Sequence, residues 1–251
     1  MSANILVEAC VDSVACAEAA AAGGAGRVEL CAGLVEGGTT PSEGMIAAVR
    51  ERIAIALHVL IRPRGGDFLY SRDECAVMRR DIDGARRSGA NGVVLGALCA
   101  DGTIDAEMTT ALVEHAHPLS VTFHRAFDMT RDLVESLAAL ERMGIERVLT
   151  SGGAASARAG IPVLASLVRH AGDRVTILAG GGITGENVAE IVAETGVREV
   201  HVRGAVREES AMRYRATGVA LSRAAQPDEF ARAVTSADSI RLIALALERH
   251  Q

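Results

Sequence analysis

Lysine and tryptophan are both absent from this chain of 251 residues, and all 26 basic side chains are arginines. Schiff-base enzymes, pyridoxal-phosphate enzymes and Walker A nucleotide-binding proteins each require a lysine, so these three classes are excluded. Any anion that this protein binds must therefore be held by arginine side chains and backbone N–H groups.

Aromatic residues and positive charge are also too scarce for a nucleic-acid-binding protein. The chain has four Phe and two Tyr, and its 32 acidic residues outnumber the 26 basic ones, which gives a net charge of −6. Stacking of bases needs aromatic side chains, and a nucleic-acid-binding face needs an excess of basic residues. We therefore expect no nucleic-acid partner.

Long apolar runs and paired cysteine motifs are missing as well. No stretch approaches the roughly 18 apolar residues of a membrane-spanning helix, and the first residues lack the basic region of a signal peptide. The five cysteines are odd in number and form no CxxC pair, which favours free thiols in a reducing compartment. These features predict a cytoplasmic protein with no membrane partner.

Short β-branched runs alternate with Ala-rich helical stretches along the chain. The predicted strands start 22 to 35 residues apart, which leaves room for one helix between successive strands. Eight such units in about 250 residues predict an α/β protein, a single-domain (β/α)8 TIM barrel over residues 1–251. An open doubly wound sheet is the alternative. The predicted strands are Ile5–Ala9, Arg27–Leu30, Leu57–Ile61, Gly92–Leu95, Leu119–Phe123, Arg147–Thr150, Thr176–Ala179 and Glu199–Val202.

An internal repeat favours the closed barrel over the open sheet. Before every second strand the chain reads Gly, an apolar residue, two variable residues and Val. Glycine suits the left-handed residue that ends a helix, and four copies fit a barrel with fourfold repetition. The repeats begin at Gly24, Gly89, Gly144 and Gly196.

The segment at about 204–235 does not follow this pattern and is predicted to be a long loop before the last helix, Ala237–Arg249. Loops of this length in a barrel usually serve a function. The sequence is compatible with a lid over the barrel mouth and with a subunit contact.

Polar residues interrupt the predicted buried strands at their carboxyl ends. Parallel strands covered on both faces normally read as continuous apolar runs. The members of each pair lie an even number of residues apart, so they point to the same side of the strand, which must be the barrel interior. Barrel enzymes keep their active sites at this mouth, although a satisfied polar layer is the alternative for any single pair. The pairs are Glu8 and Cys10, Glu29 and Cys31, His58 and Arg62, Thr122 and His124, and His201 and Arg203.

Carboxylate and imidazole groups at the mouth are candidates for proton transfer or for holding a divalent metal. After the fifth strand, an imidazole and a carboxylate lie four residues apart. The candidate catalytic residues are Glu8, Glu29, His124, Asp128 and His201.

Arginines and glycines after several strands are candidates for anion binding. The loop after the third strand contains two arginines that can grip a carboxylate or phosphate, although a solvated surface turn has the same composition. A glycine run after the seventh strand occupies the phosphate-binding position of many barrels, but it can also serve tight packing. The candidates are Arg62, Arg64, Arg125, Arg203, Gly180, Gly181 and Gly182.

Six blocks of this sequence closely resemble the CutC family, and the likeness extends over nearly the whole chain. The resemblance implies a cytosolic TIM barrel, a homo-oligomer (dimer or tetramer), and a role in copper homeostasis through Cu(I) binding. The two cysteines implicated in copper binding in the family match Cys10 and Cys31. The blocks are Glu8–Cys10, Arg27–Cys31, Glu36–Ser42, Ile61–Phe68, Thr122–Asp128 and Arg147–Gly152.

Two functional hypotheses follow. The first is a copper-handling protein in which Cys10 and Cys31 bind Cu(I), because Cu(I) prefers soft thiolate ligands. The second is an enzyme that acts at the mouth of the barrel on a small anionic metabolite, with or without a phosphoryl group. The residue chemistry favours the enzyme, while the family resemblance favours copper.

Overall fold

Eight parallel strands close into a barrel in chain order, so that the last strand pairs with the first. The computed structural model describes residues 5–216, 218–219 and 228–249. The strands are β1 (Leu6–Val11), β2 (Arg27–Leu30), β3 (Ala56–Leu60), β4 (Gly92–Leu95), β5 (Ser120–Phe123), β6 (Arg147–Thr150), β7 (Thr176–Gly180) and β8 (Glu199–Val202). This arrangement confirms the predicted single-domain (β/α)8 barrel.

Each barrel strand is followed along the chain by a helix. Six of the eight helices begin at a Ser or Asp whose side chain accepts a hydrogen bond from a backbone N–H of the first turn, which satisfies an otherwise unpaired donor. The helices are α1 (Val14–Ala22), α2 (Glu43–Arg52), α3 (Arg72–Arg87), α4 (Ala106–Ala116), α5 (Leu133–Arg142), α6 (Ile161–Ala171), α7 (Val188–Thr195) and α8 (Ala237–Glu248). None of the described helices is long and apolar enough to cross a membrane.

The glycine repeat works as its sequence predicts. All four repeat glycines have positive φ, a conformation that costs glycine little and other residues more. The repeat valines begin or lie within strands, and each of them is fully buried. The repeat therefore ends one helix and starts the next strand. The valines are Val28, Val93, Val148 and Val200.

The segment predicted as a long loop contains two additional strands. β9 (Ala205–Glu209) and β10 (Ala231–Thr235) pair in an antiparallel two-stranded sheet outside the barrel. β9 begins three residues after the end of β8, so the small sheet lies near the carboxyl ends of the barrel strands. Residues 217 and 220–227 of this segment lie outside the described part of the chain.

Candidate functional site

Strand register brings the predicted polar side chains of β1, β2 and β8 together. Glu8 on β1 lies opposite Arg27 on β2 and opposite His201 on β8. Cys10 lies opposite Glu29. Since side chains two residues apart on a strand share a face, these groups stack in layers inside the barrel, as their spacing predicts.

Five of these side chains form one cluster, which we call the thiol cluster: Glu8, Cys10, Glu29, Cys31 and His201. The Sγ atoms of Cys10 and Cys31 are 3.8 Å apart, and Cys31 Sγ lies 3.4 Å from an Oε of Glu29. His201 Nδ1 is 2.7 Å from an Oε of Glu8, and its Nε2 is 3.8 Å from Glu29. The imidazole thus lies between two carboxyl groups and beside the thiols.

Burial and neighbouring charges give the two thiols different properties. The hydrogen bond from Cys31 lowers the pKa of Cys10 to about 5, against the opposing effect of burial. The same hydrogen bond and burial raise the pKa of Cys31 well above its usual range. The pair therefore holds one thiolate, on Cys10, which accepts a hydrogen bond from the neighbouring thiol.

The pKa values of the carboxyl and imidazole groups of the thiol cluster are shifted as well. Burial raises the pKa of Glu29 to about 8. Burial also acts to raise the pKa of Glu8, but His201 and Arg27 outweigh it and hold this pKa well below its usual range. Burial lowers the pKa of His201, while Glu29, Cys10 and Glu8 together raise it well above the usual value. At neutral pH the cluster combines an imidazolium with a carboxylate and a thiolate.

A buried ion network forms the floor beneath this cluster. Arg27 contacts both Glu8 and Glu199, and Arg147 donates to Glu199 over 2.6 Å. Arg27, Arg147 and Glu199 were not predicted from the sequence as site residues. Extending the period-two pattern back to the first residue of β2 and β8 would have found two of them. The network fixes Glu8, which in turn orients the imidazole of His201.

An inner cavity of about 140 Å³ opens above the thiol cluster. Several predicted site residues line this cavity. Apolar side chains that were not predicted from the sequence line it as well. The lining includes Cys10, Glu29, Cys31, Arg62, His124, Arg125 and His201, together with Leu34, Leu60, Phe68 and Leu149. Polar side chains from several strands, as well as apolar ones, thus lie around one cavity at the barrel mouth.

A larger outer cavity of about 850 Å³ lies beside the inner one and shares Cys10, Arg125 and His201 with it. Gly181, Gly182 and the exposed Arg203 line the outer cavity, as do residues of α8. Both glycines have positive φ, and within the described residues no hydrogen bond is donated by either of their N–H groups.

His124 lines the inner cavity, but its hydrogen bonding and its pKa do not suit the predicted role in proton transfer. Its Nδ1 accepts a hydrogen bond from the backbone N–H of Ala126 over 3.2 Å. Burial, and then the charge of Arg62, lower its pKa to about 3. The imidazole is therefore neutral at physiological pH, with its proton on Nε2. It is suited to donate a hydrogen bond rather than to accept a proton.

Besides the fully buried Glu8, three predicted site residues line neither cavity. Arg64 bonds Glu74 and Asp67 and holds its own loop closed. Asp128 accepts hydrogen bonds from Arg125, Ser151, Gly153 and Thr150. Its oxygens are thus used to join two loops.

Gly180 is the third of these residues. It lies within β7, where an added Cβ would come within 2.6 Å of Leu149 and 3.2 Å of the Cβ of His201. Its small size makes room for these neighbours, and it does not line the outer cavity. Packing is thus its evident role.

The donor set of the thiol cluster fits a soft metal ion. Zinc–thiolate bonds are about 2.3 Å long, so two sulfurs 3.8 Å apart can both bind one first-row ion. Ligand atoms of Cys10, Glu29 and Cys31 all lie within 4.8 Å of one another. Two thiolates favour Cu(I) over hard cations.

The fold and the site together define a class: a (β/α)8 barrel whose mouth holds a buried cluster of thiol, carboxyl and imidazole groups suited to bind a metal or a small ligand. Comparison with known proteins specifies it further. The CutC family model matches residues 5–206. The chain belongs to the CutC family.

Relatives support this assignment along most of the chain. The mouse copper homeostasis protein cutC homolog is 46% identical over 240 residues, which cover 96% of this chain and 88% of the mouse protein. The human homolog is 45% identical over the same length, with the same coverage.

Solved structures agree with these relatives. A crystal structure described as a copper homeostasis protein CutC from Streptococcus agalactiae matches with a TM-score of 0.75 and 35% identity, covering 79% of this chain and 98% of the other. Thiamine phosphate pyrophosphorylase from Pyrococcus furiosus, at 16% identity, a TM-score of 0.59 and coverage of 98% and 96%, shares the fold alone.

Proposed function

We propose that this protein binds Cu(I) through the sulfurs of Cys10 and Cys31 and acts in copper homeostasis. The observation that carries this proposal is the 3.8 Å separation of the two sulfurs inside the barrel mouth. The names of the mouse and human relatives support the copper role. In this proposal copper is the cargo of the protein.

The thiol cluster distinguishes these cysteines from the others. Cys10 is poised as a thiolate, the form that binds metals, and the imidazolium of His201 lies close to it. Cys75 and Cys99 are half-buried and are not part of a metal-ligating group among the described residues. The chain therefore contains its own control for thiol-dependent copper binding.

Competition with a chromophoric Cu(I) chelator tests this proposal. The double variant Cys10→Ser/Cys31→Ser should lose more affinity than the roughly 10- to 100-fold that loss of an outer-shell partner costs. The matched control Cys75→Ser/Cys99→Ser should bind one Cu(I) as the parent does. Equal affinity of the first double variant and the parent would disprove copper binding at this site.

A second candidate function is catalysis on a small anionic metabolite, with or without a phosphoryl group. The observation that favours it is the outer cavity, where Arg203, Arg125 and the N–H groups of Gly181 and Gly182 lie next to the thiol cluster. Glu8, Glu29 and His201 would then transfer protons or hold a divalent metal. Among the described residues, ligand atoms of these three lie within 4.8 Å of one another.

A thermal-shift screen of phosphorylated and carboxylated metabolites tests the second function. A phosphorylated ligand should raise the Tm of the parent and of Arg64→Ala, because Arg64 faces neither cavity. The shift should disappear in Arg203→Ala. Absence of a shift across the whole panel in the parent would count against this function.

The five cysteines are all free among the described residues. From this we infer that the protein works in a reducing compartment, which agrees with a cytoplasmic location. Fractionation of cells that produce the tagged protein should place it in the cytoplasm.

A further inference from the structure

Arg62 carries a buried charge that no acidic side chain in the described part of the chain compensates. The residue is only 6% exposed. Its Nη atoms donate to the backbone carbonyls of Glu36 at 3.0 Å, Gly38 at 2.7 Å and Gly66 at 2.7 Å. Its Nε is buried and has no hydrogen-bond partner among the described residues. The buried hydroxyl of Tyr70 lies near the guanidinium, but it is uncharged and cannot act as a counter-ion. The guanidinium is held in place but lacks a counter-ion.

Arg27 shows how this fold treats a buried arginine when it serves structure. Arg27 is 3% exposed and bonds two carboxylates, Glu8 and Glu199. Leaving a charge buried without a partner costs several kcal/mol. The contrast indicates that the partner of Arg62 comes from outside the chain.

The thiolate of Cys10 does not fill this role. The groups that lower its pKa are Cys31, His201 and Arg203, and Arg62 is not among them. The negative charges of the thiol cluster are thus matched by His201 and Arg27, on β8 and β2.

His124 supplies a second unsatisfied donor in the same cavity. It is 5% exposed, and its Nε2 is buried without a partner among the described residues. Because its Nδ1 already accepts the N–H of Ala126, the proton of the neutral ring resides on Nε2. A buried donor without an acceptor is costly and calls for a partner.

Phe68 brings these two donors to one place. Arg62 Cζ lies 5.0 Å from the centroid of the Phe68 ring, and the His124 ring centroid lies 4.9 Å from it. All three residues line the inner cavity, whose other walls include Leu34, Leu60 and Leu149. The cavity therefore has apolar walls and a positive end. Both donor atoms are covered in the ligand-free protein, so a ligand must move the Phe68 ring, which contacts both side chains, to reach them.

We propose that the inner cavity binds a small monocarboxylate, whose two oxygens accept hydrogen bonds from Arg62 Nε and His124 Nε2. Two donors beside a guanidinium suit the two oxygens of a carboxylate, and the apolar walls suit a short hydrocarbon body. A phosphate has more oxygens to satisfy than these two donors can serve. Cys10 and Cys31 line the same cavity but donate neither of these hydrogen bonds, so carboxylate binding does not require copper.

Isothermal titration of the metal-free protein tests the proposal with propionate as the probe. Propionate is small enough for a cavity of about 140 Å³. It should bind with a measurable Kd, whereas propionamide, of the same shape but uncharged, should bind at least about tenfold more weakly because it lacks the charge-assisted bonds. Inorganic phosphate should not displace propionate.

Two variants assign the site to these residues. His124→Asn keeps an acceptor for the N–H of Ala126 but removes the Nε2 donor, and it should weaken propionate binding about tenfold or more. Arg62→Met keeps the stem over Phe68 and removes the charge, with at least as large a loss. Arg64→Met, in the same loop but facing away, should bind as the parent does.

Several results would overturn the proposal. Equal binding of propionate and propionamide would show that charge is not recognised. Unchanged propionate affinity in His124→Asn would rule out the proposed donor, even if Arg62→Met failed to fold. Displacement of propionate by inorganic phosphate would identify the ligand as a phosphate instead. Copper titrations of the same metal-free protein are read separately, so failure of one proposal is not failure of the other.

Discussion

At the scale of single residues, the two buried arginines of the barrel should respond differently to loss of charge. Arg27→Met leaves Glu8 and Glu199 without their shared cation, and breaking a buried ion pair costs about 3–5 kcal/mol. Arg62→Met removes a charge that has no acidic partner among the described residues. We therefore expect urea denaturation of the ligand-free protein to show the larger loss for Arg27→Met. The opposite order would mean that Arg62 is compensated within the chain.

His58 makes a second prediction at this scale, on acid stability. Burial lowers its pKa from 6.5 to about 4. Between these pH values the unfolded chain binds a proton that the folded chain excludes, so its contribution to stability falls as pH falls through that window. One such group changes the free energy of unfolding by about 1.4 kcal/mol per pH unit.

The measurement compares the parent with His58→Leu by urea denaturation at several pH values from 6.5 to 4.5. Stability of the variant should fall less steeply over this range. Identical slopes would show that folding does not lower the pKa of His58.

At the scale of elements, the barrel strands were predictable because buried parallel strands read as short apolar runs. β2, β4, β6 and β8 have the predicted bounds, and the other four differ by at most two residues at either end. β9 was missed because every residue in it is exposed, so it has no alternation of apolar and polar residues. A strand that is exposed to solvent on both faces has no pattern of apolar residues from which it can be predicted.

Site residues on strands were easier to predict than site residues on loops. Parity along a strand fixes the side on which Glu8, Cys10 and Glu29 lie. No such rule decides the direction of Arg64 or Asp128, whose side chains turn to partners within and between loops. The apolar residues that line the inner cavity could not be predicted for a related reason. The sequence does not distinguish a leucine at the barrel mouth from a leucine in the core.

The loop junction at Asp128 makes a prediction at the element scale. This carboxylate accepts hydrogen bonds from backbone and side-chain donors of the segment after β6. It also accepts a hydrogen bond from Arg125, which lines both cavities. Asp128→Asn removes the charge and half of the acceptor capacity, which should cost about 2–4 kcal/mol. Urea denaturation measures this loss. Unchanged stability would show that the junction does not hold the loops together.

At the scale of the whole molecule, the segment around β9 and β10 is the best candidate for an oligomer contact. Its charged side chains pair largely with one another: Arg207 with Glu209 and Asp228, and Arg232 with Glu208. Four large apolar side chains of the described part of this segment are exposed: Val206, Val219 and the two largest, Met212 at 59% and Tyr214 at 77%. Exposed apolar surface rimmed by polar groups marks interaction sites.

We therefore expect a homo-oligomer whose contact includes these two residues. In light scattering coupled to gel filtration, Met212→Ser/Tyr214→Ser should have a lower mass than the parent at the same concentration. The control Val35→Ser/Met129→Ser removes apolar side chains that are equally exposed but lie elsewhere in the chain, and it should keep the parent mass.

The same pair of variants separates a subunit contact from a lid. A lid over the mouth would leave the mass unchanged in Met212→Ser/Tyr214→Ser but would speed the entry of copper into the barrel, because closure limits access to the inner cavity. A subunit contact would lower the mass, and any change in copper entry would then vary with protein concentration. A parent that is a monomer at every concentration would exclude the contact.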